Sequence, residues 1–177
     1  RQRPYLREVL DGVTVHRSPI YPSHDTRAAH RAANYLSFVA SGTPTALRVL
    51  ADCDVAYVYS TPATVGAIGR ILRTVRRIPY VLHVQDLWPQ TVTSSGFIND
   101  ATSSGRVERA LHRFCDWVYR GADAIAVISP GMVDLIAGRG IARERLHVIP
   151  NWADESAFFP TAPGPQLRAE VGPLREC

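Results

Sequence analysis

The sequence predicts an α/β fold, a mainly parallel sheet with helices on both faces. Three observations carry that prediction. Short apolar, β-forming runs occur at "DVAYVYS" (54–60), "YVLHV" (80–84), "ADAIAVIS" (122–129) and "LHVIP" (146–150). Stretches of helical periodicity lie between them. Turn and cap residues punctuate the joins: Thr61-Pro62, Ser129-Pro130 and Gly138. Strand and helix in alternation imply right-handed crossovers, so neighbouring strands run the same way. The class is Rossmann-like.

The elements follow in order. A short strand at Val13 to Val15 comes after the Asp11-Gly12 turn. A helix over about 26–39 carries Ala29, Ala32, Ala33, Leu36 and Phe38 as its apolar stripe. Gly42 and Pro44 predict a break, and a second helical piece covers about 45–50. The strand ending at Ser60 leads to Thr61 as N-cap and Pro62 as first position of a helix to about Arg76. After the strand at 79–84, Pro89 is expected to start a short helix. A long helix over about 105–119 has Val107, Leu111, Phe114 and Val118 as its buried face. Ser129 and Pro130 open the next helix, which Gly138 stops.

Residues 1–12 offer no first strand and no glycine-rich loop, so the domain, taken as 1–150, is expected to lack its opening. After Pro150 the periodicity ends. "NWADESAFFPTAPGPQ" reads as a linker, and "LRAEVGPLREC" as the start of a second domain, so 151–177 is expected to be a crossing segment.

Composition limits the function classes. The 177 residues suffice for one domain with a proper core, and 46% hydrophobic with 20% charged residues marks a globular chain. No apolar run approaches the roughly 20 residues that span a bilayer. The net charge is +4 and all 20 basic residues are arginine, which suits phosphate and carboxylate partners. That charge is spread along the chain, so a nucleic-acid partner is not expected. Cys53, Cys115 and Cys177 show no metal-ligand spacing, and Cys53 and Cys115 read as small buried hydrophobes. Neither a phosphate loop nor a G-x-G-x-x-G run is present, which argues against P-loop enzymes and dinucleotide dehydrogenases.

In such sheets ligands sit outside the carboxyl ends of the strands. Here those ends are Ser60-Thr61-Pro62, His83-Val84-Gln85-Asp86, Ser129-Pro130-Gly131 and Pro150-Asn151-Trp152. The densest is "PYVLHVQDLWPQ" (79–90), where a buried strand ends in polar and aromatic side chains beyond what a turn needs. His83 reads as a group that binds a sugar hydroxyl or assists charge at a reacting carbon, against a histidine satisfied by a backbone carbonyl. Asp86 reads as an acceptor for substrate hydroxyls, and equally as a helix cap. Trp88 reads as a stacking platform for a sugar ring, against a core or loop anchor. Ser60, Thr61, Gln85, Ser129 and Asn151 complete the expected substrate-binding set; Ser129 reads more simply as a cap.

Arg70, Arg73, Arg76 and Arg77 cluster on one helix and its end, with Arg70, Arg73 and Arg77 spaced to share a face. They read either as a solvated face or as a contact with an anionic membrane surface. Arg106, Glu108, Arg109, His112, Arg113 and Asp116 read as an ordinary polar face.

"DVAYVYSTPAT", "PYVLHVQDLWPQTVTSSG", "DWVYRGADAIAVISPGM" and "RERLHVIPNWADESAFFP", in this order and at these spacings, resemble the amino-terminal half of family 4 glycosyltransferases of the two-domain GT-B fold. Within that family the strings resemble bacterial enzymes of surface polysaccharide synthesis, including fucosamine transferases. The resemblance implies an acceptor-side domain, with a nucleotide diphosphate sugar held mainly by the other domain. It implies transfer with retention to a glycan or lipid-linked acceptor, no cofactor and no metal. It places His83 near the donor sugar and Asp86 at the acidic position of the same loop, the two catalytic candidates. It makes the loop from Ser60 to Thr64 a wall of the cleft and Asn151-Trp152 the start of the crossing. It further implies a fragment cut at both ends, inactive alone, and a cytoplasmic enzyme with peripheral contact to the inner membrane face kept open.

Two other readings compete. One is a non-catalytic binding or scaffold remnant of the same fold. The other, a phosphoacceptor receiver domain built on Asp86, lacks the earlier acidic pair and the later strand-end Lys.

Overall fold

The computed structural model describes residues 5–23, 27–90, 104–154, 156, 157 and 159. The chain opens with a hairpin of β1 (Leu6–Leu10) and β2 (Val13–Arg17), joined through Asp11 and Gly12, both at positive φ. That is the geometry a two-residue turn needs to match strand twist. The expected strand after Asp11-Gly12 is therefore present. Residues 6–10 do form a strand, although "LREVL" lacks clean alternation: the turn folds it onto β2, outside the parallel sheet, and Arg17 pairs with Glu8. This hairpin forms its own sheet.

Next comes α1 (Ala28–Val49), one helix where two pieces were expected. It runs through Pro44 and Gly42 for two local reasons. Thr43 Oγ1 donates to Val39 O at 2.6 Å, and Thr45 Oγ1 to Ser41 O at 3.2 Å, so hydroxyls supplement the ladder that Pro44 interrupts. Gly42 lies where a Cβ would stand 3.1 Å from Ile68 Cδ1, so packing between helices holds the segment in line.

The central sheet begins at β3 (Ala56–Ser60). Thr61 does not cap the following helix, and Pro62 is not its first residue. The Thr61-Pro62 bond is cis and Pro62 is extended, with ψ 170°. One 3-10 turn (Ala63–Val65) intervenes before α2 (Gly66–Val75). Gly66 and Gly69 bring α2 tight against its neighbours. A Cβ at Gly69 would lie 2.8 Å from both Tyr80 and Val58, and one at Gly66 2.5 Å from Val118. Arg77 falls past the helix end at φ 61°, so it does not extend the face of Arg70 and Arg73 as expected.

Then follow β4 (Tyr80–Val84), α3 (Ser104–Gly121), β5 (Ala124–Val127), α4 (Pro130–Ala137) and β6 (Leu146–Val148). Strands β3-β4-β5-β6 pair in that order, all parallel, which is the expected Rossmann-like class. On α3 the buried residues include Cys115, Val118 and Tyr119, whereas Val107, expected on that face, is 43% exposed. Cys115 is buried as expected; Cys53 is exposed, contrary to expectation. Ser129 and Gly138 flank α4 as expected, though Ser129 makes no side-chain cap bond.

The two faces of the sheet are not covered alike. Ala56, Val58, Tyr80, Leu82, Val84, Ile125 and Val127 join the core with residues of α2, α3 and α4. Right-handed crossovers between successive neighbours put all three of those helices on one side. The opposite face carries Tyr57 and Tyr59, 59% and 54% exposed. No helix among the described residues is long and apolar enough to cross a membrane. The expected short helix after Pro89, Cys177 and "LRAEVGPLREC" lie wholly or mainly outside the described residues.

Candidate functional site

Register aligns the strand ends. Ser60 pairs with Val84, Val84 with Val127 and Val127 with Val148, so four carboxyl ends form one rim. Ile149 N extends it by donating to Val127 O at 2.8 Å. Side chains alternate along each strand, which decides what the rim can gather on each face.

His83 is one residue inside the rim and points to the face of Tyr57 and Tyr59. It is 6% exposed. The Tyr57 hydroxyl meets Nδ1, and the Gln85 amide nitrogen lies 2.8 Å from Nε2. Asn151 Nδ2 in turn donates to Gln85 Oε1 at 2.9 Å. With the Gln85 amide donating to Nε2, a neutral imidazole carries its proton on Nδ1 and donates it to Tyr57. The Tyr57 hydroxyl then keeps its own proton for an outside acceptor. The run Tyr57–His83–Gln85–Asn151 therefore has a direction.

Local sequence explains the run. Next to His83 on β5 stands Ala126, whose small side chain leaves room for Asn151, arriving from beyond β6, to reach across to Gln85. Tyr59 packs edge-on to the imidazole at 5.5 Å between centroids and 88°, and Tyr57 at 5.8 Å and 68°. Both tyrosines fix the ring. In the sequence both read as ordinary strand formers. The signal was the alternation of Tyr57 and Tyr59 with Ala56, Val58 and Ser60, which puts two aromatic rings on one face beside a histidine strand.

The other expected residues are placed differently. Asp86 is half-buried in the bend after β4, and among the described residues it makes no side-chain hydrogen bond or ion pair. Its carboxylate is available to a ligand. Trp88 takes the anchoring role weighed against sugar stacking: it packs on the core, and its ring lies 6.1 Å from that of Tyr35. Ser60 is buried on the helix-covered face, away from His83. Thr61 is exposed beside Pro62, and half-buried Ser129 supplies a carbonyl to Met132 N at 3.2 Å. Neither touches the His83 run. Thr64, on the same loop as Thr61, has a buried hydroxyl with no partner among the described residues. Past Asn151 the chain turns at Asp154, whose carboxyl is held below its usual range by hydrogen bonds from the Ser156 hydroxyl and backbone.

Arg139, not singled out in the sequence, steadies this loop from behind. It donates to Trp88 O at 3.0 Å, to His112 O at 3.0 Å and to Asp116 Oδ1 at 2.8 Å. Asp116 thus leaves the ordinary polar face on which it was expected. Among the described residues no three His, Cys, Asp or Glu side chains gather as a metal site would need.

These features define a class first: a parallel α/β domain whose polar side chains converge at the carboxyl rim of its sheet. The chain belongs to the glycosyl transferase 4-like domain family, which matches residues 1–152. No curated protein matches it in sequence. Among solved structures it is similar to Anabaena Alr3699/HepE, determined in complex with UDP-glucose, at 19% identity and a TM-score of 0.47. That likeness covers 77% of this chain and 34% of the other, so the chain spans about a third of that protein's length.

Proposed function

We propose that this chain is the acceptor-side part of a transferase that moves a sugar from a nucleotide diphosphate sugar to a glycan or lipid-linked acceptor. The reaction retains anomeric configuration and serves polysaccharide biosynthesis. One observation carries the reading: the directed run Tyr57–His83–Gln85–Asn151 at the rim, in a chain of this family. In the proposed step an acceptor hydroxyl attacks the anomeric carbon and the bond from that carbon to phosphate oxygen breaks. The acceptor's proton passes to the departing phosphate, leaving a glycoside and a nucleoside diphosphate.

The chain's own residues bind and orient. His83 has both nitrogens engaged, so its role is to hold Tyr57 and to face developing positive charge as a neutral ring. Tyr57 presents its hydroxyl to a sugar. Asp86 accepts hydrogen bonds from substrate hydroxyls. Thr61 and Ser129 border the rim, and Asn151 links the site to the segment leading away. Ser60 and Trp88 support the loops from the core side. The donor is bound chiefly by residues beyond this chain.

Calorimetric titration of the purified chain with a panel of oligosaccharides and with UDP-glucose tests the reading. Saturable oligosaccharide binding is expected, lost in His83→Ala and weakened about tenfold in Tyr57→Phe, since a lost sugar hydrogen bond costs about 1–1.5 kcal/mol. UDP-glucose should bind weakly and show no turnover. Turnover of any nucleotide sugar by this chain alone would refute the division of labour. Oligosaccharide binding indifferent to His83→Ala would remove the site.

A further inference from the structure

Beside the amino ends of the strands, on the far side of the sheet from the rim, lies an open groove of about 490 Å³. Four arginines line it, Arg70, Arg73, Arg120 and Arg145, against one acid, Asp123. Two arginines have internal work. Arg73 pairs with Asp123 at 3.2 Å, and Asp123 also accepts Tyr80 N at 3.0 Å. Arg145 donates to the carbonyls of Tyr119, Arg120 and Ala122, closing the end of α3. Helix carbonyls at a C-terminus attract cations, so Arg145 is explained without a ligand.

Arg70 and Arg120 are not explained that way. Among the described residues neither side chain makes a hydrogen bond or an ion pair. The Arg70 Nε is buried without a partner, an expensive condition for a polar atom inside a protein. Its guanidinium lies 5.7 Å from the centre of the Trp117 ring, which orients the fork. Gly121 supplies the room, since a Cβ there would collide with Arg70. A smaller hollow of about 220 Å³ continues the patch, adding Arg113 beside Arg70 and Arg120. Its acid, Asp116, is already taken by Arg139 at 2.8 Å.

We propose that this groove binds a phosphate group, carried either by a soluble phosphate ester or by an anionic lipid headgroup. A planar carboxylate is satisfied by one guanidinium fork. A tetrahedral phosphate accepts from two or three forks, and here Arg70 and Arg120 line the groove from two different helices, with Arg113 in the adjoining hollow. β4 spans about 13 Å between groove and rim. The site is therefore separate from the sugar-handling edge, and its test stands apart from that of the proposed function.

Pyrophosphate is titrated into the purified chain by calorimetry at low salt. In parallel, the chain is co-sedimented with phosphatidylcholine vesicles with and without phosphatidylglycerol. Wild type is compared with Arg70→Gln/Arg120→Gln and with the charge-keeping Arg70→Lys/Arg120→Lys. At least one probe should bind saturably, about tenfold more weakly in the Gln pair, with part of the loss recovered in the Lys pair. Pyrophosphate binding assigns the site to soluble phosphates, and binding only to the anionic vesicles assigns it to lipid; both support it. Binding to neither probe overturns it. So does binding unchanged in a Gln pair whose circular dichroism matches wild type. Should the Gln pair fail to fold, Arg120→Gln alone, at an exposed position, must still weaken binding, and no change there also overturns the site.

Discussion

Cys115 shows what burial does to a single side chain. Its thiol is 1% exposed, and loss of water pushes it up to about 11 despite the nearby Arg139 guanidinium. Burial likewise raises the Tyr80 and Tyr119 hydroxyls well above their ordinary range. The linkage has a definite sign. These groups are neutral in both states at pH 7, so they cost nothing there. From about pH 9 the unfolded chain releases the Cys115 proton while the folded chain keeps it, and stability falls as pH rises through about 11. Urea unfolding should show a flat plateau near neutrality and then a loss on the order of 2–3 kcal/mol from Cys115 alone by about pH 11. The tyrosines add to that loss at higher pH. Cys115→Ala should flatten the alkaline slope between pH 9 and 11. An unchanged slope in that variant would assign the effect elsewhere. In the same range Cys115 should resist thiol reagents that label exposed Cys53.

At the scale of elements, Arg139 does what no neighbour in sequence hints at. It lies just past α4, yet its partners are the loop after β4 and two turns of α3. The pair with Asp116 is well shielded, with side chains 13% and 26% exposed. Breaking a shielded pair leaves a charge without compensation, and lysine cannot reproduce a fork that reaches three acceptors. Arg139→Met, which removes the charge and all three bonds, should therefore cost about 2–4 kcal/mol in urea unfolding, and Arg139→Lys should recover only part of it. A cost within about 0.5 kcal/mol, the range of an ordinary surface change, would show that the three bonds carry no weight. Such contacts are hidden from sequence because Asp116 and Trp88 lie 23 and 51 residues away. Strands and crossovers were legible because apolar runs and caps are local signals. The continuity of α1 through Pro44 was not, since it depends on Gly42 packing against Ile68 of another helix. The delayed start of α2 was not either, because Thr61-Pro62 carries the same signature whether or not the proline enters the helix.

Across the whole molecule, three of the four residues in the hydrogen-bonded run were legible. His83, Gln85 and Asn151 could be placed on one rim from strand order alone, and they are bonded together there. Tyr57 could be found only by asking which face each β3 residue takes, and that same face raises the last prediction. Among the described residues β3 pairs with β4 alone, so its other edge has unpaired backbone groups. Val55, just before that strand, and Tyr57 and Tyr59 on it are 57%, 59% and 54% exposed. A free edge next to an exposed aromatic face is a template for pairing with another chain. The hairpin of β1 and β2, a sheet of its own, does not close that edge. Sedimentation velocity should therefore show concentration-dependent association of the isolated chain, with a broad melt at low temperature. Val55→Lys puts a charge at the strand's start, outside the His83 run, and should reduce the association without altering oligosaccharide binding. A monomer with a sharp, cooperative melt well above room temperature would mean that the exposed edge is harmless as it stands.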